Sequence, residues 1–185
     1  MGLTWEQQTA ALLANDAHRM TCLQVARSLQ LPDWYIGAGF LRNAIWDACH
    51  PHTASTPLND IDLVYFDAED KTPSRDSMLE ARACERLAVP WEIRNQARMH
   101  EKHGNSPYHN TAHAIAHWVE VPTCVGVRLN DDDTLTFTAP FGLGENWSCK
   151  VRMNPEVPRP EAYKKRVNDK RWAEHWPRLV FDDIP

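Results

Sequence analysis

Cysteine is scarce and unpatterned in this chain. The five cysteines, at 22, 49, 84, 124 and 149, are odd in number and form no C-x-x-C pair. That argues against a disulfide framework or a cysteine zinc finger, and fits reduced thiols in a cytosol. There is no apolar run of 18 residues, and the start, MGLTWEQQTAALL, lacks a basic stretch followed by an apolar segment. The expectation is a cytoplasmic protein with no membrane span or secretion signal. Positive charge is not in excess either. The formal net charge is −5, which excludes a large non-specific nucleic-acid surface. No internal repeat, low-complexity linker or G-K-[ST] phosphate loop occurs.

What is present is enough apolar material for a packed core. Hydrophobic residues make up 43 % of the 185 positions, with eight tryptophans, so the chain is expected to fold as one domain over 1–185. Helical spacing is expected over about Trp5–Gln30, with Met20, Leu23, Val25 and Leu29 facing the core, over 40–49, and over Ser74–Leu87. Strands are expected at 34–36, 59–66, 90–96, 123–129 and 134–138, and one more at 149–153. Residues 50–58 and 67–73 read as loops, 99–108 as irregular, 110–118 as a helix and about 160–176 as a final basic helix.

Two short segments carry the chemistry. In Asn59-Asp60-Ile61-Asp62-Leu63-Val64-Tyr65-Phe66, strand alternation points Asp60 and Asp62 the same way. Two carboxylates held that close repel each other, and a divalent cation relieves the repulsion; Mg²⁺ favours carboxylate and phosphate oxygens together. Upstream, Trp34-Tyr35-Ile36-Gly37-Ala38-Gly39-Phe40-Leu41-Arg42-Asn43 reads as strand, glycine turn and helix start. Unpaired N–H groups at such a start attract anions, and Arg42 on its first turn can fork onto a phosphate. Glu92, in Pro90-Trp91-Glu92-Ile93-Arg94-Asn95, is the candidate third carboxylate, with Trp91 and Ile93 turned to the core. Three carboxylates and two metals suit an in-line displacement at phosphorus, and the third can act as general base.

Rival features are weaker. His109, His113 and His117 recur every four residues, with His100 and His103 nearby, so a helix would place a zinc-capable pair on one face. Neither an H-E-x-x-H arrangement nor a completing cysteine accompanies them. Asp131–Asp133 lack the spacing of a calcium loop and read as a hairpin turn. The tail from Arg159 to Arg178 holds seven Lys/Arg against three acids, which serves either as a solvated face or as a contact to phosphates.

The order of glycine turn, D-x-D strand and later acidic strand resembles the DNA polymerase beta-like nucleotidyltransferase superfamily. The runs GAGFLRNAIWD, NDID, WEIRNQARMH, TCVGVR and the late Lys170-Arg171-Trp172 are similar to a small bacterial nucleotidyltransferase-like family over about residues 20–180. The resemblance implies an α/β (α+β) fold, a small mixed sheet flanked by helices. It implies metal-dependent transfer of a nucleoside monophosphate from an NTP to a small molecule, a protein or an RNA end. Asp60, Asp62 and Glu92 would hold Mg²⁺ or Mn²⁺, and Gly37, Gly39, Arg42 and Asn43 would bind the nucleotide. The superfamily commonly has Gly-Ser at the turn, whereas this chain has Gly-Ala-Gly. That leaves two other classes open: a degenerate nucleotide-binding regulatory module, and a histidine-ligated zinc hydrolase.

Overall fold

The computed structural model describes residues 2–51 and 56–182. The expected loop at 50–58 therefore lies partly outside the described residues. The first helical region is two helices, α1 (Trp5–Ala14) and α2 (Ala17–Ser28). Asp16 causes the break, because its carboxylate accepts from the Arg19 N–H at 2.9 Å and starts a new helix. Strand β1 (Tyr35–Gly37) leads into α3 (Gly39–Cys49). Then β2 (Ile61–Tyr65), α4 (Pro73–Arg86) and β3 (Trp91–Asn95) form a parallel crossover unit.

Residues 99–108 are not wholly irregular. They contain α5 (Met99–His103), stopped by Gly104 at φ 65°. Helix α6 (Thr111–Ile115), shorter than expected, is capped by the Asn110 side chain. A 3-10 turn at Val121–Thr123 takes the first part of the expected fourth strand, leaving β4 (Gly126–Leu129) and β5 (Leu135–Thr138). Residues 130–134 are the expected hairpin turn, with Asn130 N–H donating to Thr134 O at 2.8 Å. The sequence reading missed α7 (Gly144–Trp147), a single turn too short for a periodic signal. Strand β6 (Lys150–Val151) is followed by the basic region, which is α8 (Pro160–Lys170) and α9 (Trp172–His175), parted at Arg171 with φ 49°. Also missed is β7 (Val180–Phe181), which pairs with β6.

The main sheet has the order β3-β2-β1-β4-β5, with only β2 and β3 parallel. Alternation sorts its faces. Ile36, Ile61, Leu63, Tyr65, Ile93 and Val127 point into the principal core. Leu23, Leu41, Ile45, Leu79 and Ala83 from α2, α3 and α4 cover them. The opposite face carries Tyr35 and Val64 under Ile115, and beside them Asp62 and Glu92. A second cluster gathers Trp46, Tyr163, Trp172 and Trp176, which fastens the C-terminal helices onto α3.

Asp76 ties α4 to the parallel strands. It is 2 % exposed, accepts from Tyr65 Oη at 2.8 Å and Asn95 N–H at 3.3 Å, and pairs with Arg98. Asp76→Ala leaves those donors and a partly buried guanidinium uncompensated. Urea unfolding is expected to show a loss of about 3 kcal/mol. Retention of wild-type stability would remove this network from the account.

Candidate active site

The β2–β3 register sets the site. Asp62 and Glu92 are directly opposed on adjacent parallel strands, so both side chains leave the same face of the sheet. Asp60 stands just before β2, on the same side by alternation. All three open onto a cavity of about 290 Å³ beside the start of α3. Asp62 is half-buried while Glu92 is exposed. Burial, then the charges of Asp60 and Glu92, push the Asp62 carboxyl up to about 6, against the opposing pull of Arg42 and Lys170.

The glycine turn is built differently from expectation. Gly37 is buried and is not among the residues lining the two cavities at the carboxylates. Its lack of a side chain serves packing: a Cβ on Gly37 would lie 2.6 Å from the Trp118 ring. The left-handed residue of the turn is Ala38, at φ 51°, ψ −125°, and not either glycine. Such a conformation costs an alanine about 1–3 kcal/mol, a strain that clusters at functional sites. Ala38 and Gly39 form part of the cavity wall, and Ala38 has no side chain to cap α3. Among the described residues the first-turn N–H groups of this 11-residue helix have no side-chain acceptor.

Gly37→Ala forces its methyl into the indole and is expected to cost about 1–3 kcal/mol in chemical denaturation. Combining it with Trp118→Val is expected to cost less than the sum of the two single changes. Strict additivity would mean that the Trp118 contact is not what excludes a side chain at 37.

Arg42 is 6 % exposed and lies between two indoles, 5.1 Å from the Trp46 ring and 4.7 Å from that of Trp172. Its NH1 donates to Thr123 Oγ1 at 2.8 Å, and its Nε and NH2 donate to Asn43 Oδ1 at 3.2 and 3.0 Å. Burial lowers its pKa to about 10, opposed by the negative charge of Glu120, Asp62 and Asp60. Arg42 and Asn43 therefore act as one preorganised unit in the cavity wall.

The sequence reading did not assign Arg166 or Lys170 to the site, although it noted that the basic tail suits phosphates. Both line the cavity, Lys170 from the end of α8. Arg166 pairs with Glu120, a carboxylate with no exposed surface whose second oxygen has no partner among the described residues. Trp172, His175 and Trp176 close the same side. The signal was present as Lys/Arg at helical spacing, but only the tertiary position of α8 turns that face toward the carboxylates.

The donor set suits a hard divalent ion. It is all oxygen, and burial together with the neighbouring charges of Asp60 and Glu92 raises the Asp62 carboxyl. Among the described residues no three His, Cys, Asp or Glu side chains gather closely enough to hold an ion by themselves. A two-carboxylate platform completed by water and phosphate oxygens is the arrangement Mg²⁺ favours. The histidines of the rival reading pack around Tyr108 instead. His109 stacks on His113 at 4.7 Å, and Tyr108 meets His113 at 5.8 Å and His117 at 5.3 Å. The His113 Nδ1 accepts from the His109 N–H, and the His117 Nδ1 is bonded to the His113 carbonyl.

A mixed sheet of this order, with Asp60 and Asp62 at the start of β2 and Glu92 opposite Asp62 on β3, defines a nucleotidyltransferase fold. The nucleotidyltransferase family model matches residues 24–181, and the chain belongs to that family. A solved structure described as revealing a CCA-adding enzyme head domain is 30 % identical, with a TM-score of 0.84, covering 96 % of this chain and 95 % of its own. A CCA-adding enzyme in complex with CTP is 11 % identical with a TM-score of 0.56, covering 98 % of this chain and 44 % of its own. A tRNA-processing enzyme complex is 16 % identical with a TM-score of 0.55, covering 87 % and 43 %. The chain thus spans nearly all of the first and under half of the other two, which share the fold. No curated protein matches the sequence. Among the described residues no helix is long and apolar enough to cross a membrane.

Proposed function

We propose that the protein transfers a nucleoside monophosphate from an NTP to an acceptor hydroxyl, with pyrophosphate leaving. The observation that carries this reading is the pairing of Asp62 with Glu92 beside Asp60, in a cavity also walled by the uncapped start of α3 and by Arg166 and Lys170. Carboxylates to hold a cation and a set of donors for phosphates share one small space.

Asp60 and Asp62 would hold Mg²⁺ or Mn²⁺, with Glu92 as third ligand or base. A divalent ion so held supplies charge neutralisation for the triphosphate. The chain's own groups do the rest. The α3 N–H groups and Gly39 approach phosphate oxygens through backbone, replacing the hydroxyl that a serine at 38 would supply. Arg42, locked by Thr123 and Asn43, lends positive potential to that wall. Arg166, held by Glu120, and Lys170 stabilise negative charge on the departing pyrophosphate. Glu92 is exposed and accepts the proton of the attacking hydroxyl. The acceptor oxygen bonds to the α-phosphorus, the bond to pyrophosphate breaks, and the proton passes from Glu92 to water.

The test is thermal stability against each NTP with Mg²⁺ or Mn²⁺, in wild type and in the Asp60→Ala/Asp62→Ala variant. CTP comes first, since a similar structure binds it. The expected outcome is metal-dependent stabilisation by at least one NTP in wild type, and none in the variant. A wild type that no NTP stabilises would overturn the reading, and NTP stabilisation without any turnover would turn it toward the degenerate nucleotide-binding module.

A further inference from the structure

A second cavity, also of about 290 Å³, opens on the other side of the carboxylates. It shares Ala38, Asp62, Glu92 and Arg166 with the first, so the reactive carboxylates stand at the junction of the two. A transfer reaction needs two substrates, in line across one phosphorus, and the fold supplies two spaces meeting at the acidic pair.

The linings of the two spaces differ. The first has the α3 start, Arg42, Asn43 and Lys170, a triphosphate environment. The second has an apolar part, Val64, Met99 and Trp118, and a cationic part, Lys102 and Arg159, beside the His103 imidazole. Lys102 and His103 end α5, and Arg159 begins α8, so two distant segments bring these charges together. Arg159 donates to Asn105 Oδ1 at 2.9 Å, and among the described residues neither it nor Lys102 makes an ion pair. Burial, then Arg159 and Lys102, depress the His103 pKa, which shows that these cations stand close enough to disfavour further positive charge. Lys102 and Arg159 thus stand on the wall of a cavity with no carboxylate partner among the described residues. An unneutralised cationic group there is suited to an anion that arrives with a ligand.

Resting on the transfer reading above, we propose that the second cavity seats the acceptor. We propose further that the acceptor carries a phosphate group bound by Lys102 and Arg159, with its hydroxyl presented to Glu92. Trp118 offers an indole face to a base or sugar beside that phosphate. A cavity of this size takes a mononucleotide-sized group, supplied either by a free phosphorylated molecule or by the end of an RNA strand.

The experiment saturates the protein with a non-hydrolysable NTP analogue and Mg²⁺, then titrates uridine 5′-monophosphate, uridine, and a uridine trinucleotide. Amide and Trp118 indole resonances report binding. The monophosphate or the trinucleotide is expected to perturb Trp118, Lys102 and His103, with uridine at least about 10-fold weaker. Lys102→Glu/Arg159→Glu is expected to lose about 10-fold or more in affinity for the phosphorylated probe while binding the NTP analogue as wild type does. The milder Lys102→Gln/Arg159→Gln keeps the test valid should charge reversal misfold the protein. Equal response to the monophosphate and the trinucleotide assigns a small phosphorylated acceptor; response to the trinucleotide alone assigns a strand end. Equal response to uridine, no response to any probe, or indifference to both variants overturns the proposal with the transfer reading intact. Loss of NTP-analogue binding in the variants places these cations in the donor site and overturns it as well. Failure of wild type to bind the analogue at all removes the transfer reading itself, and this proposal with it.

Discussion

Replacing Asp62 by Asn is expected to abolish nucleotidyl transfer and, at the same time, to raise the melting temperature at pH 7.5. Burial and the neighbouring charges of Asp60 and Glu92 hold the Asp62 carboxyl near 6, against an ordinary value of 3.8. A carboxyl with a raised folded-state pKa gives up stability as pH rises from its unfolded to its folded value, and the loss is complete above both. Asparagine removes that loss. The two proteins should therefore be equally stable below about pH 4 and diverge between about pH 4 and 6. Above about pH 6.5 the variant should lead by about 2 kcal/mol, or about 4–8 °C for a chain of this size. Activity should move the other way, by about 10³-fold or more, since an amide neither neutralises a cation nor keeps its charge. Melting curves across pH 4–8 check the first half and a labelled-NTP assay the second. A variant less stable than wild type at pH 7.5 would show that the carboxylate group is not under electrostatic stress.

Arg42→Met should separate binding from folding in a similar way. The guanidinium is buried between Trp46 and Trp172, and methionine fills comparable space with no desolvation penalty. Stability is expected to change by less than about 1.5 kcal/mol. Triphosphate affinity should fall about 10-fold or more, because the wall loses its positive charge and Asn43 loses the partner that orients it. The Asp62 carboxyl should also rise further, because Arg42 is one of two cations pulling it down. Calorimetric NTP titration and an Asp62 side-chain NMR titration read these effects separately. Unchanged NTP affinity would reduce Arg42 to a packing residue.

The parts of the site legible in the sequence are those in which side-chain direction follows from strand alternation. Asp60 and Asp62 share a side because they are two apart, and Glu92 turns outward because Trp91 and Ile93 turn inward. Their mutual register was not legible, since it depends on where α4 returns the chain beside β2. The detail of the turn was not legible for a related reason. Residue type marks the glycines as what permits a tight turn, whereas Gly37 is needed for the close approach of Trp118, 81 positions away, and the positive φ falls on Ala38. Arg166 and Lys170 escaped because α8, through Tyr163, and the following α9 with its C-cap, through Trp172 and Trp176, dock onto the cluster around Trp46, contacts that span most of the chain. Periodicity also carried the basic helix straight through Arg171, where a left-handed residue breaks it and turns Trp172 back into that cluster.

The most direct test of the account places Mn²⁺ in the protein together with the stabilising NTP and maps paramagnetic broadening along the chain. Resonances of Gly39, Asn43, Asp62 and Glu92 are expected to be lost first, while those of His109, His113 and His117 persist. Broadening centred on the histidines, with the β2–β3 carboxylates untouched, would contradict it.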